Sequence, residues 1–153
     1  MTQPQATGIG ASVRRVEDQR FITGRGRYTD DIHRPGQVYA YLLRSNLAHG
    51  DLRRVDVAQA QAAPGVLAVF TGRDLRADGI GDLPVGWMTF NKDGSPMHIP
   101  AHPVMAVERV RHVGDPIALV LANSLAEAKD AAELIELDIA DLPAVGDIER
   151  AVA

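Results

Sequence analysis

Histidine, carboxylate and glycine are the residue types in this 153-residue chain whose spacing invites a chemical reading. His98 and His102 stand four apart, a spacing that on a helix turns both imidazoles to one face for a zinc ion. Pro100 and Pro103 forbid that helix, because proline removes a backbone donor and its ring collides with the preceding turn. Histidines that make hydrogen bonds in a loop are the expectation. His49 and His112 have the chemistry of general bases, but neither has a serine or aspartate placed so that spacing alone implies a triad. A small hydrolase or metalloenzyme using His49, His98, His102 or His112 is therefore the weaker reading. Asp30 and Asp31 offer a carboxylate pair, yet adjacent residues of an extended segment point to opposite sides, so one of the two is expected to pair with Arg25 or Arg27. Gly8-Ile9-Gly10 and Gly24-Arg25-Gly26 lack the third glycine of a dinucleotide fingerprint and do not lie between a strand and a helix. Gly24 and Gly26 are expected instead to supply positive φ in a tight turn.

The chain has no cysteine, which excludes a disulfide framework, a thiolate zinc site, a cysteine-ligated iron-sulfur cluster and a cysteine nucleophile within it. A net charge of -4 argues against a nucleic-acid surface, since a polyanion requires clustered Lys and Arg in excess of nearby carboxylates. Aromatics make up 5% of residues and hydrophobic residues 46%, so the core must be aliphatic. The length fits one domain, which on folding removes about two thirds of its extended-chain surface from water. Met1 to Gly10 has no basic region followed by an apolar run, and no stretch is long enough to span a bilayer, so a cytoplasmic protein is expected. No catalytic, cofactor-binding or metal-binding residue is assigned on these grounds.

The elements that must position these groups are legible in part. Residues 1–12 are expected to form a flexible N-terminal arm, with one domain over 13–153. Five arginines and four carboxylates between Val13 and Asp31 read as surface turns and not as a helix. The apolar run Val38 to Leu43 predicts a central strand covered on both faces, and the alternation Leu52 to Val57 a half-exposed one. Asp56 is placed to cap a short helix through Ala58 to Ala62, before a strand over Val66 to Phe70. Residues 71–103 are rich in Gly and Pro and predict a long loop, which in a compact domain is functional, part of an interface or disordered. Val113-Gly114-Asp115-Pro116 pins a turn before the strand Ile117 to Ala122. Ser124 and Glu127 form a capping box, and Leu125, Ala128, Ala131, Ala132 and Ile135 mark one helical face. The period then switches to two at Leu137 and Ile139, which predicts a strand-helix-strand unit on a right-handed crossover.

In order and spacing, the chain resembles the α/β-hammerhead domain that begins the large subunit of the xanthine dehydrogenase, aldehyde oxidase and carbon monoxide dehydrogenase family. The resemblance runs through Ile9-Gly10, Arg15-Val16-Glu17-Asp18, Thr23-Gly24-Arg25-Gly26-Arg27-Tyr28 and Asp30-Asp31-Ile32. It continues through Pro35-Gly36, Arg44-Ser45, Ala48-His49, Pro64-Gly65-Val66, Phe70-Thr71-Gly72 and Asp74 to Val110-Arg111-His112-Val113-Gly114-Asp115-Pro116 and Asp141-Leu142-Pro143-Ala144-Val145. One departure is Asn46-Leu47, where the family often has a proline-containing turn. The loop from Gly86-Trp87-Met88 to His102-Pro103-Val104 resembles the carbon-monoxide-dehydrogenase-like branch more than the xanthine branch.

The resemblance implies an α+β fold, a mixed sheet with a βαβ unit near the C-terminus and few helices. It implies a parent reaction of oxidative hydroxylation at a molybdopterin (molybdenum) centre, with water as the oxygen source and electrons passing to 2Fe-2S and FAD groups in partner subunits. The segment alone is then expected to bind no cofactor and to act as a scaffolding and subunit-interface domain. Its partners would be the remaining cofactor-binding domains of the large subunit and the iron-sulfur and flavin subunits, with no nucleic acid and no membrane. The alternative is a free-standing protein-interaction module without a molybdenum partner.

Overall fold

The computed structural model describes residues 8–11 and 15–152, so most of the expected arm, 1–7 and 12, lies outside the described residues. The chain divides into two compact units, one ending at Gln37 and the other beginning at Val38.

The first unit is organised by an aromatic pair. Phe21 and Tyr28 stack with ring centroids 5.3 Å apart and planes 11° from parallel, and the Arg20 guanidinium lies 4.9 Å from the Phe21 centroid. The segment expected to be turns alone contains a short helix, α1 (Asp18–Ile22). Its helicity draws on local pairs that a search for apolar periodicity does not see, including Arg20 bonded to Glu17 and the Thr23 hydroxyl donating to the Gln19 carbonyl at 2.6 Å. Gly24 has φ 69° as expected. Gly26 does not have positive φ; it is glycine because a Cβ there would overlap the Phe21 ring.

The second unit carries the core. Its strands are β1 (Tyr39–Arg44), β2 (Gly50–Asp56), β3 (Val66–Thr71), β4 (Arg109–Val110), β5 (Pro116–Ala122) and β6 (Glu136–Asp141). They form two three-stranded sheets, ordered β1-β5-β3 and β4-β2-β6. Every pairing is antiparallel, so the expected mixed sheet is not formed. Helix α4 (Leu125–Glu133) does link β5 to β6. Both edges of β5 are already taken, by β1 and β3, so β6 pairs with β2 in the other sheet. Likewise β1 is an edge strand and not a central one, and the strand covered on both faces is β5, with Ile117, Ala118, Val120 and Ala122 fully buried.

The packing follows from side-chain size. Ala128, Ala131 and Ala132 are small enough to bring α4 close onto Val69, Ala118 and Val120 of the first sheet, whereas Leu125, expected on the same face, is exposed. A second cluster joins Leu52, Ala106, Val110 and Ile117, and Val55 and Leu137 pack against both clusters, tying the two sheets together. Three short helices complete the unit, the last of them α5 (Ile148–Val152). The Asp56 carboxylate accepts the Ala58 backbone N–H at 3.0 Å at the start of α2 (Ala58–Gln61). Helix α3 (Gly72–Ala77) occupies the beginning of the segment expected to be loop throughout. Asp74 holds it there by accepting the Thr71 N–H and the Thr71 hydroxyl, each at 2.7 Å. The local motif Thr71-x-x-Asp74 was the signal for this helix, masked by the Gly and Pro that follow.

Candidate functional site

The turn before β5 is irregular backbone held by several hydrogen bonds. Gly114, at φ 90°, donates its N–H to the Ser45 carbonyl at 2.8 Å, and Ser45 donates back to the Asp115 carbonyl at 2.9 Å. Arg44 adds a bond from Nη1 to the Gly114 carbonyl at 2.9 Å, and the Asp115 carboxylate accepts the Arg111 N–H at 2.9 Å. Ser45 is buried, and its hydroxyl both donates to the Leu47 carbonyl and accepts the Leu47 N–H, at 2.9 and 3.0 Å. The result is a rigid turn carrying Arg111 and His112 at the surface.

Two adjoining surface hollows share these residues. The first, of about 360 Å³, lies between the turn and the loop, with Leu83, Val85, Pro100 and His102 among its lining residues. The second, of about 480 Å³, is lined by His49, Arg109, Pro143, Ala144 and Val145 in addition to Arg111 and His112. The structure therefore brings His49 and His112 to one hollow and His102 and His112 to the other, while His98 lines neither. Nδ1 of His49 donates to the Pro143 carbonyl at 2.9 Å, and Nδ1 of His112 to the Val113 carbonyl at 3.1 Å; a carbonyl can only accept, so each Nδ1 carries the proton. Arg109 is engaged by Asp51, with Nη2 to Oδ1 at 2.6 Å. Arg111 has no carboxylate within ion-pair distance among the described residues.

The carboxylates do not converge. Asp31 accepts the Tyr28 N–H at 2.9 Å, capping the one-turn 3-10 helix Thr29–Asp31, and among the described residues neither Asp30 nor Asp31 forms an ion pair with Arg25 or Arg27. Asp56 has its pKa lowered, first by the Ala58 N–H and then by the side chain of Arg54. Asp93 is lowered by the Ser95 hydroxyl and then the Ser95 N–H. Both shifts stabilise local turns and neither prepares a proton transfer. No group of three or more metal-ligating side chains is present among the described residues.

The other distinctive surface is the remainder of the loop. Leu83, Val85, Trp87, Met88, Phe90 and Ile99 are all exposed, Trp87 at 80% and Phe90 at 69%. The loop is ordered locally by a bridge between Phe90 and Pro96 and by a turn in which Asp93 accepts the Ser95 N–H at 2.9 Å. Water is a poor solvent for such a run, and exposed apolar patches on soluble domains mark interaction sites. No helix among the described residues is long and apolar enough to cross a membrane.

Comparison with known proteins decides the family. The sequence profile of the "aldehyde oxidase and xanthine dehydrogenase, a/b hammerhead domain" family matches residues 23–143. The chain belongs to this family. The hammerhead is 35% identical over 145 residues to the carbon monoxide dehydrogenase large chain of Afipia carboxidovorans, a match covering 95% of this chain and 17% of that protein. It is also 35% identical over 140 residues to a protein named xanthine dehydrogenase molybdenum-binding subunit from Escherichia coli O157:H7, covering 91% of this chain and 18% of that one. The identity to these two proteins is thus the same. Among solved structures, quinoline 2-oxidoreductase from Pseudomonas putida 86 superposes with a TM-score of 0.79 at 40% identity, over 92% of the hammerhead and 17% of that chain. The chain spans less than a fifth of the length of these relatives.

Proposed function

We propose that this hammerhead is the scaffolding and subunit-interface domain of a molybdenum hydroxylase large subunit, inactive by itself and completed by polypeptide it does not contain. The observation that carries this reading is the exposed apolar loop on an otherwise aliphatic, well-packed domain whose relatives are large oxidoreductase subunits. The parent reaction is oxidative hydroxylation, with water supplying the oxygen and electrons leaving through iron-sulfur and flavin groups of partner subunits. A cytoplasmic location accords with that chemistry.

The residues described here do not fit a molybdenum-pterin group on their own. A polar cofactor of that kind needs donors and acceptors left over by the fold. Every buried side-chain polar atom among the described residues already has a partner, and the imidazole Nδ1 atoms at the second hollow are bonded to the chain's own carbonyls. An iron-sulfur cluster ligated by cysteine has no ligand in this chain. What the domain offers is shape and surface: a rigid turn, an apolar loop and two small sheets that hold them.

The test is co-elution of this chain with the remaining large-subunit polypeptide expressed as a separate, cofactor-loaded chain. A stable complex is expected, with oxidation of substrate by the complex and none by the hammerhead alone. Failure to associate, or turnover by the isolated chain, overturns the reading.

A further inference from the structure

We infer that Arg111, presented between the two hollows with His49 and His112 on its flanks, is the docking point for a carboxylate on an acidic, apolar-flanked segment of the remaining large-subunit polypeptide. This rests on the function proposed above. Charge complementarity identifies the occupant. The second hollow presents two arginines and two histidines, and Arg109 is already neutralised by Asp51 at 2.6 Å. Of the two arginines at this hollow, Arg111 is the one with no ion-pair partner among the described residues. Asp115, which lines the first hollow with it, has its carboxylate turned to the Arg111 backbone N–H at 2.9 Å. Arg111 Nη1 makes only a long contact to the Arg109 carbonyl, 3.4 Å, so most of its donor fork is unused.

A guanidinium matches a carboxylate in shape, donating two parallel bonds. The surroundings select what may carry that carboxylate. Pro143, Ala144 and Val145 wall one hollow, and Leu83, Val85 and Pro100 wall the other. An acidic residue with apolar neighbours fills both hollows while its charge meets Arg111; a strongly hydrated polyanion would leave those walls uncovered. Preorganisation adds to the case. The turn that carries Arg111 is tied to Ser45 from both sides, at 2.8 and 2.9 Å, and to Arg44 at 2.9 Å, so little backbone entropy remains to be lost on docking.

The experiment compares four forms of this chain for affinity toward the remaining large-subunit polypeptide: wild type, Arg111→Gln, Arg111→Lys and, as a charge control on α3, Arg73→Gln. Thermal unfolding first establishes that each variant folds. Arg111→Gln is expected to weaken association at least tenfold, Arg111→Lys to restore part of it, and Arg73→Gln to leave it unchanged. The wild-type affinity should also fall as salt rises, and that salt dependence should shrink in Arg111→Gln. Wild-type binding that is indifferent to Arg111→Gln overturns this inference and leaves the proposed function standing. Absence of wild-type binding removes the function itself. Equal weakening by Arg73→Gln would mean diffuse charge attraction and would also overturn the assignment to Arg111.

Discussion

At the scale of single residues, the glycines separate into two kinds with different tolerances. Gly24 and Gly114 occupy φ 69° and 90°, conformations that side chains resist. Gly72 is ordinary in φ, but a Cβ there would lie 2.7 Å from the Met105 carbonyl oxygen and closer still to that of Ala106. Those carbonyls belong to the segment that delivers Ala106 and Val110 to the core, so neither can retreat freely. Gly72→Ala should therefore lower unfolding stability by about 1–3 kcal/mol, as overpacking does, and urea denaturation measures it. Asp56 gives a pH prediction of known sign. Its folded-state pKa lies below the ordinary carboxylate value, chiefly through the Ala58 N–H. Its contribution is therefore present above that ordinary value and is lost as pH falls through the lowered one. Asp56→Asn should flatten the acid limb of the stability profile relative to wild type. Unchanged acid dependence would show that the cap does not form in solution.

At the scale of elements, caps decide where the short helices start. Nine residues suffice for α4 because Ser124 accepts the Glu127 N–H at 3.2 Å. The glutamate's own reach is to the Ser124 hydroxyl, which donates to its carboxylate at 2.8 Å. Helix α3, with six residues, depends more heavily on Thr71 and Asp74. Replacing Asp74 by alanine should cost about 1 kcal/mol and loosen the entry to the long loop, detectable as faster amide exchange over residues 72–77. The edge strands show a second element-level rule. β6 carries Glu136, Asp138 and Asp141, charges that discourage pairing with a further chain. Strand β3 has no charged residue, and its outer edge is the more vulnerable of the two.

For the whole molecule, the loop gathers several of the large apolar side chains left exposed among the described residues, Trp87 and Phe90 included. Trp87 is the single tryptophan of the sequence, which makes the loop directly observable. Its fluorescence should shift to the blue when the remaining large-subunit polypeptide binds, and Trp87→Ser should weaken that association while leaving the unfolding midpoint of the free domain almost unchanged. A fall in the midpoint would place Trp87 in the domain's own stability and remove the loop from the interface. The two differently named relatives, each 35% identical to this chain, are much longer chains, of which the match covers 17% and 18%.

Much of the fold was legible in local sequence. The Ser124 cap, the alanine stripe behind it, the Gly114–Pro116 turn and the aliphatic runs of β3 and β5 are governed by interactions within a few residues, and each lies where its pattern placed it, although Glu127 meets the Ser124 hydroxyl and not its N–H. The family resemblance was also written in the order of short blocks along the chain. Tertiary structure alone decided which strands share a sheet and in which direction, since a period of two is common to parallel and antiparallel pairing, and the occupied edges of β5 exclude β6 only once the sheet exists. It also decided that Gly72 yields to the carbonyls of Met105 and Ala106, far along the backbone, and that His49, Arg111 and His112 meet at one hollow. Those outcomes depend on chain segments brought together by packing, and no local periodicity encodes them.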